Sequence, residues 1–395
     1  MNLLYIGYWE LGDGLTQATV LPHLRILLAS EKIEKLVFVT IERGVYKADI
    51  ATLPPSHKLI YQPLVSKNFP INLLNKVNDF INFPNKLLKL LDDYAIEKVI
   101  ARSSPAGALI HQLCERRNIP FFVESFEPHA EYMLESGVWS KWDPRTIFQK
   151  KWEKHIKKSA GGLLPVSKNF KNRLMKEGVP SDKIFTVACN VNLEQFSFNV
   201  LDRDRIRKSL EIPSDAWVGI YVGKFGGSYY DEETFNLFKK ILEVQHSYFI
   251  ILSPDKEEFI KEKIRKCGLS EEDFRISFAK HSEVSAYLSA ADYGFAPVKP
   301  SASKKFVSVT KVGEYWACGI PVIITEDIGD DSDTVRDKKA GVVLANDWMD
   351  QPTDYFKQLV QQMKAINNRA YIRSIAEETR NMNNSVLAYR YFQLI

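Results

Sequence analysis

Residues 308–323 read SVTKVGEYWACGIPVI, a short helix followed by a buried strand, and two opposite charges sit in that helix. Ser308 is a good N-cap, and Gly319 with Pro321 is a good stop signal. Val309, Val312, Gly313, Tyr315 and Trp316 are middling or poor helix formers, so the helix must depend on tertiary packing. Its head offers backbone N–H groups and a partial positive charge, which suits an anion. Lys311 falls in that first turn, where a cation is unfavourable unless an anion is present too. Glu314, three residues on, shares its face and can accept hydrogen bonds from sugar hydroxyls. Phosphate at the head and ribose one turn deeper is the geometry of a nucleotide diphosphate. An i, i+3 salt bridge on a surface helix is the alternative. The residues alone leave both open.

Outward from this stretch, short apolar runs alternate with amphipathic ones along the whole chain, the pattern of βαβ units and parallel sheets. NLLYIGY, KLVFVTI, KVIAR, PFFVES and GGLLPVS read as strands in the first half. WVGIYVG, SYFIILS, RISFA, DYGFAPV and PVIIT do so in the second. Helical patterns fall at 15–30, 105–117, 167–177, 231–243, 255–266 and 283–290. A length of 395 residues exceeds one ordinary core. Two Rossmann-like domains are expected, at 1–198 and 199–375, with a C-terminal helix at 376–395 packing back on the first. In open parallel sheets ligands bind beyond the carboxyl ends of the strands, so residues there are the candidates.

Composition excludes several classes. A 45% hydrophobic and 26% charged chain without a long apolar run is a globular protein and not a membrane-spanning one. Cys114, Cys189, Cys267 and Cys318 form no CxxC, which fits a reducing cytoplasm and argues against zinc. The first residues read as a strand and not as a signal peptide. A net charge of +4 is too small to imply nucleic acid. Residues 141–183, however, hold twelve basic side chains against four acidic ones. Either two helices show solvated faces there, or the patch meets an anionic membrane surface or a phosphorylated acceptor. RTIFQKKWEKHIKK places Ile147, Phe148, Trp152 and Ile156 near one helical face, an amphipathic basic pattern.

Three further stretches follow strands. In YVGKFGGSYYDEE (221–233), Gly223, Gly226 and Gly227 let the backbone approach a ligand, and Lys224 projects from the turn. A plain tight turn explains it equally. Gly12 and Gly14 lie in a loop before a helix, without the GxGxxG spacing of a dinucleotide site. VESFEPHAEYMLESGVWSKWDP (123–144) combines Glu124, Glu127, His129 and two tryptophans, which suits stacking on a sugar or a lid packing its own aromatics.

In combination these residues resemble glycosyltransferase family 4, the retaining transferases of GT-B fold. SVTKVGEYWACGIPVI is similar to that family's Ser-Pro-Thr-Lys-x-x-Glu-Tyr-x-Ala-x-Gly-x-Pro-Val-Ile segment. Residues 164–196, LSAADYGFAPV and GDDSDTVRDKKAGVVL fit in order and spacing. The resemblance implies an α/β chain of two Rossmann-like domains facing each other across a donor and acceptor cleft. It implies that Glu314 holds the nucleotide ribose and that Lys224 neutralises the donor diphosphate. Ser308, Val309 and Thr310 cradle the same phosphates at the helix head, beside Gly223, and Gly12 and Gly14 close over the donor. Lys311 supplies a further cation, because Ser228, Tyr229 and Tyr230 stand where the family has a second basic residue. The first Glu of the family's Glu-x7-Glu motif falls at Phe306, with Lys304, Lys305, Asp330 and Asp331 close enough in sequence to compensate. The family's first-domain histidine corresponds to Phe126, with His129 three residues on.

The expectation is therefore a metal-independent, cofactor-free glycosyltransferase that uses a nucleotide diphosphate-sugar as co-substrate. Lys224, Lys311 and His129 are its candidate catalytic residues, and Arg102, Glu127 and Trp139 its candidate acceptor contacts. The acceptor is a glycan or a lipid-linked molecule, and the setting is cytoplasmic, peripheral to the inner face of a membrane. A sugar-nucleotide epimerase of the same architecture and a non-catalytic nucleotide-sugar binder are the rivals.

Overall fold

A computed structural model describes residues 1–44, 49–67, 69–227 and 229–395. Contacts divide the chain into unit 1, Met1–Ala188 with Met382–Ile395, and unit 2, Cys189–Asn381. Unit 1 holds β1 (Asn2–Gly7), β2 (Lys35–Val39), β3 (Ile41–Glu42), β4 (Leu59–Tyr61), β5 (Leu64–Val65), β6 (Lys98–Arg102), β7 (Phe121–Phe126) and β8 (Gly162–Pro165). Six of them form one sheet in the order β4-β2-β1-β6-β7-β8, and β3 pairs with β5 beside it. Every pairing is parallel.

Unit 2 repeats the plan. Its strands are β9 (Val218–Val222), β10 (Tyr248–Leu252), β11 (Phe274–Ser277), β12 (Tyr293–Ala296), β13 (Val322–Thr325) and β14 (Gly341–Leu344). They run parallel in the order β11-β10-β9-β12-β13-β14. In both sheets the first strand of the unit is central and the chain reverses direction beside it. Those switch points, between β1 and β6 and between β9 and β12, are where an open α/β sheet leaves room for a ligand.

Each strand expected from the apolar runs is present; β4, β14 and the β3–β5 pair were not expected. The helical stretch 15–30 is two helices, Gly14–Thr19 and Leu21–Leu28, because Pro22 opens the second. The domain boundary lies ten residues before the expected one. Residues 189–196 are bonded into unit 2: Val191 N–H donates to the Arg380 carbonyl at 2.9 Å. The Arg373 guanidinium donates to the carbonyls of Leu193 and Phe196 at 3.0 and 2.9 Å. For the same reason the Arg369–Thr379 helix stays with unit 2, and only Met382–Ile395 returns to unit 1.

Candidate functional site

In unit 2 the site begins where β9 ends. Gly223 has a φ of +127°, a conformation that side chains other than glycine's rarely adopt. A Cβ there would also lie 3.1 Å from the Lys311 ammonium, so the βα turn and the Thr310–Ala317 helix meet at this residue. Tyr315 fixes the helix in place. Its hydroxyl accepts from Val222 N–H at 3.1 Å and donates to the Phe295 carbonyl at 3.2 Å, joining the helix to the ends of β9 and β12. Gly294 makes room for that ring, since a Cβ would come within 2.4 Å of it. The helix of weak formers is thus held by packing, with Lys311 through Ala317 all buried.

Lys311 is only 8% exposed, and its ammonium makes no hydrogen bond among the described residues. It lies over the rings of Tyr229 and Tyr221, at 4.0 and 4.5 Å from their centroids. Burial pushes its pKa down to about 7, with Glu314 pulling the other way. Glu314, 6% exposed, pairs instead with His281, whose Nε2 lies 3.0 Å from Oε1. No ion pair joins Lys311 to Glu314 among the described residues, although Glu314 still favours the charged form of Lys311. His281 was missed in the sequence. Its one signal is position, just beyond the carboxyl end of β11.

The helix head differs from expectation. Ser308 is not the N-cap; Val309 is, and the Ser308 hydroxyl accepts from Cys189 N–H at 3.1 Å and from the Arg380 guanidinium. Val309 N–H donates to Asp331 at 2.8 Å, and Arg380 pairs with the same carboxylate. Asp331 is therefore occupied and cannot stand in for the absent first motif Glu. Lys305 is spent on Asp327 at 3.4 Å. The N–H groups of Thr310 and Lys311 bond to none of the described residues and form the open part of the head. Lys224 is solvent-exposed on the turn, its carbonyl held by the Tyr221 hydroxyl at 2.6 Å. Ser228 lies outside the described residues.

In unit 1 the carboxyl ends of the strands bring together a second set. His129 sits 3.6 Å from Glu127 and edge-on to Trp139, ring centroids 5.6 Å apart. Arg145 lies over the Trp139 ring at 5.4 Å and is held by Asp143 at 3.0 Å. Arg43, not singled out in the sequence, donates to the Tyr8 carbonyl at 3.1 Å and covers the Tyr8 ring at 4.8 Å. Arg102 is not part of this set. It is buried against Glu124 at 3.2 Å, in a network with Tyr5, Tyr389 and His23. Phe126 is buried against Phe170. Gly14 opens its helix under an Asp13 cap, with Gly12 in the turn before it.

The basic helix Pro144–Ser159 buries Thr146, Gln149, Glu153 and Ile156. The expected stripe is divided: Ile156 faces the core while Ile147 and Phe148 are exposed, because nine residues of helix put Ile147 and Ile156 on opposite faces. No helix among the described residues is long and apolar enough to cross a membrane.

Residues 202–379 match the family described as glycosyl transferases group 1. No curated protein matches in sequence. Among solved structures, the sucrose-phosphate synthase of Thermosynechococcus elongatus is similar at a TM-score of 0.74 and 16% identity, over 100% of this chain and 99% of that one. The HepE protein of Anabaena, in complex with UDP-glucose, is similar at 0.72 and 12%, over 99% of each chain. The UDP-GlcNAc 2-epimerase of Neisseria meningitidis, bound to UDP-GlcNAc, is similar at 0.64 and 13%, over 100% of each. Residues 202–379 are thus similar to a glycosyl transferase group 1 domain, and the chain as a whole has the GT-B fold of the solved glycosyltransferases it is similar to.

Proposed function

We propose that the protein moves a sugar, with retention of configuration, from a nucleotide diphosphate-sugar to a glycan or lipid-linked acceptor in cell-surface glycoconjugate synthesis. One observation carries the reading: a buried lysine without a hydrogen-bond partner, at a helix head and against a glycine turn, which needs an anion to complete it. Diphosphate fits that place and ribose fits Glu314. The donor's anomeric C–O bond to the diphosphate breaks, and the acceptor oxygen bonds to that carbon on the same face. The acceptor proton passes to a diphosphate oxygen. Lys224, Lys311 and the Thr310–Ala317 helix head stabilise the charge that grows on the leaving group, so the reading assigns that work to no metal. Glu127, His129 and Trp139 are the acceptor-side contacts, and the basic stretch 141–183 faces an anionic membrane surface. UDP-sugars are the first donors to try, because two of the similar proteins were solved with them.

Calorimetric titration with UDP, GDP, ADP and the bare nucleosides tests this. Lys311→Ala should weaken binding of the preferred diphosphate and leave its nucleoside unaffected. Glu314→Ala should weaken both, by about 1.5–3 kcal/mol, the contribution of hydrogen bonds to a charged group. Intact diphosphate binding in Lys311→Ala would overturn the reading. Epimerised donor in the absence of any acceptor would favour the epimerase instead, and binding without slow donor hydrolysis a non-catalytic binder.

A further inference from the structure

In unit 1 the Ser104–Arg117 helix has a head that the fold leaves open. Ser103 is its N-cap residue, yet its side chain does not cap the helix. Ser103 is only 2% exposed, and its hydroxyl has no hydrogen-bond partner among the described residues. The N–H groups of Ser104 and Ala106 bond to none of the described residues either, and Pro105 has no N–H. Buried polar groups are normally paired, so three open donors at one helix head are an exception that calls for a ligand. The backbone there is held firmly all the same. Ser103 N–H donates to the Glu124 carbonyl at 2.8 Å and Gly107 N–H to the Ser103 carbonyl at 3.0 Å. Between those bonds Ser103 keeps a φ of +86°, a strained conformation for any residue but glycine.

The surroundings indicate the ligand's chemistry. The helix packs between the Asn72–Asp93 and Pro144–Ser159 helices. It follows β6, whose Arg102 pairs in register with Gly7 of β1, so Ser103 and Tyr8 leave neighbouring strands together. The Tyr8 hydroxyl is within electrostatic reach of Asp79 on one flanking helix and of Arg145 on the other, and Arg43 covers the Tyr8 ring at 4.8 Å. Tyr8 therefore stands over the helix head with two guanidiniums beside it. The acids nearby are engaged. Asp79 accepts from the Ser66 hydroxyl at 2.7 Å, Asp143 from Arg145 at 3.0 Å and Glu10 from Arg43 N–H at 3.1 Å, while Glu127 faces His129 at 3.6 Å. What the crevice offers is donors, at the positive end of a helix dipole. Phosphate, whose oxygens accept from many directions, fits that set. The Ser104 hydroxyl ties the head to the acceptor-side residues by donating to the Glu127 carbonyl at 2.6 Å. Tyr8 and Glu127 are half-buried, which leaves a way in.

We infer that the head of the Ser104–Arg117 helix, with Ser103, Arg43 and Arg145, binds the phosphate group of a phosphorylated acceptor, either a sugar phosphate or a lipid-linked phosphate. The binding of phosphate stands without the transferase reading; its assignment to the acceptor rests on that reading. Phosphate held there anchors the acceptor and leaves Glu127 and His129 to meet its hydroxyls.

Calorimetric titration with inorganic phosphate and glucose 6-phosphate tests the site. Phosphate also suits Lys311, so the Lys311→Ala protein is titrated, in which the unit 1 site remains. It should bind both probes, more weakly as salt is added, and bind glucose far less. Adding Ser103→Ala should reduce phosphate affinity about tenfold or more, the loss of a hydrogen bond to a charged group. The thermal melt should stay the same or rise, because an unpaired buried hydroxyl has been removed. Arg43→Gln in place of Ser103→Ala should cost a similar factor. Farnesyl phosphate compared with glucose 6-phosphate identifies the source, since the tighter ligand is the kind of molecule that carries the phosphate. Absence of phosphate binding to the Lys311→Ala protein would overturn the inference, as would unchanged binding on adding Ser103→Ala. So would a melt that falls together with the binding, because Ser103 would then be structural. Nucleotide titration of Ser103→Ala alone should match the parent; the transferase reading fails only if the parent binds no nucleotide diphosphate.

Discussion

The two units have sheets of the same strand order, and each buries charge near the carboxyl end of its sheet, but they treat it in opposite ways. In unit 1, Glu124 accepts from Tyr5 at 2.7 Å, from Arg102 at 3.2 Å and from Tyr389. Burial alone would raise this carboxyl, yet His23 and Arg102 overcome that and hold it at about 2. Burial also pushes His23 below its usual value, so Arg102 is the counter-charge that matters at neutral pH. In unit 2, Lys311 is equally buried and has aromatic rings for neighbours but no hydrogen-bond partner. A satisfied buried charge fastens structure, here the C-terminal helix Asn383–Tyr391 through Tyr389. An unsatisfied one does no such fastening, and in the proposed function a diphosphate supplies its missing partner.

The largest effect should come from breaking the satisfied side. Glu124→Ala leaves Arg102 buried without its counter-charge, which should cost about 3–5 kcal/mol in urea denaturation. Hydrogen exchange should show Asn383–Tyr391 opening first. A loss below about 1 kcal/mol would show that the network is not the fastening described.

Lys311→Met should act in the opposite direction. An ordinary lysine titrates near 10.4 in the unfolded chain, whereas Lys311 titrates at about 7 in the fold. Between those values the unfolded state binds more protons, so the parent's stability rises with pH across that window. The variant loses this rise and should be about 2–4 kcal/mol more stable than the parent at pH 6, while losing the stabilisation that UDP confers. In the parent, UDP binding above pH 7 must take up a proton, so affinity should fall about tenfold per pH unit there. Calorimetry in buffers of different ionisation enthalpy measures that proton directly.

Glu153 sharpens the comparison as an intermediate case, because its partners are neutral. It accepts from Gln149 at 3.0 Å and from Ala130 N–H at 3.1 Å, and burial raises it to about 7 against those bonds. Here the folded state binds the extra proton, so stability falls as pH rises from the ordinary carboxyl range through 7. Glu153→Gln should add about 2–3 kcal/mol at pH 8 and almost nothing at pH 3, read from melts at the two values.

The parallel sheets were legible because their strands are continuous apolar runs punctuated by glycine and proline, as in WVGIYVG and PVIIT. The Asn72–Asp93 helix was not. Pro84 interrupts it, and the asparagines at 72, 75, 78, 82 and 85 read as loop residues. Exposed apolar residues on an outward face carry no local mark that separates them from core.

By itself the sequence determined the strand order's raw material, the helix at 310–317 and the three-residue spacing that puts Lys311 and Glu314 on one face. Those properties are set by residues a few positions apart, through rotamer freedom, period and turn chemistry. Only the tertiary structure decided that the two charges form no ion pair among the described residues. It takes His281 to occupy Glu314, Tyr221 and Tyr229 to enclose Lys311, and Asp331 with Arg380 to claim Val309 and Ser308. Whether a buried charge is satisfied depends on partners brought in from distant parts of the chain, and local pattern holds no record of them.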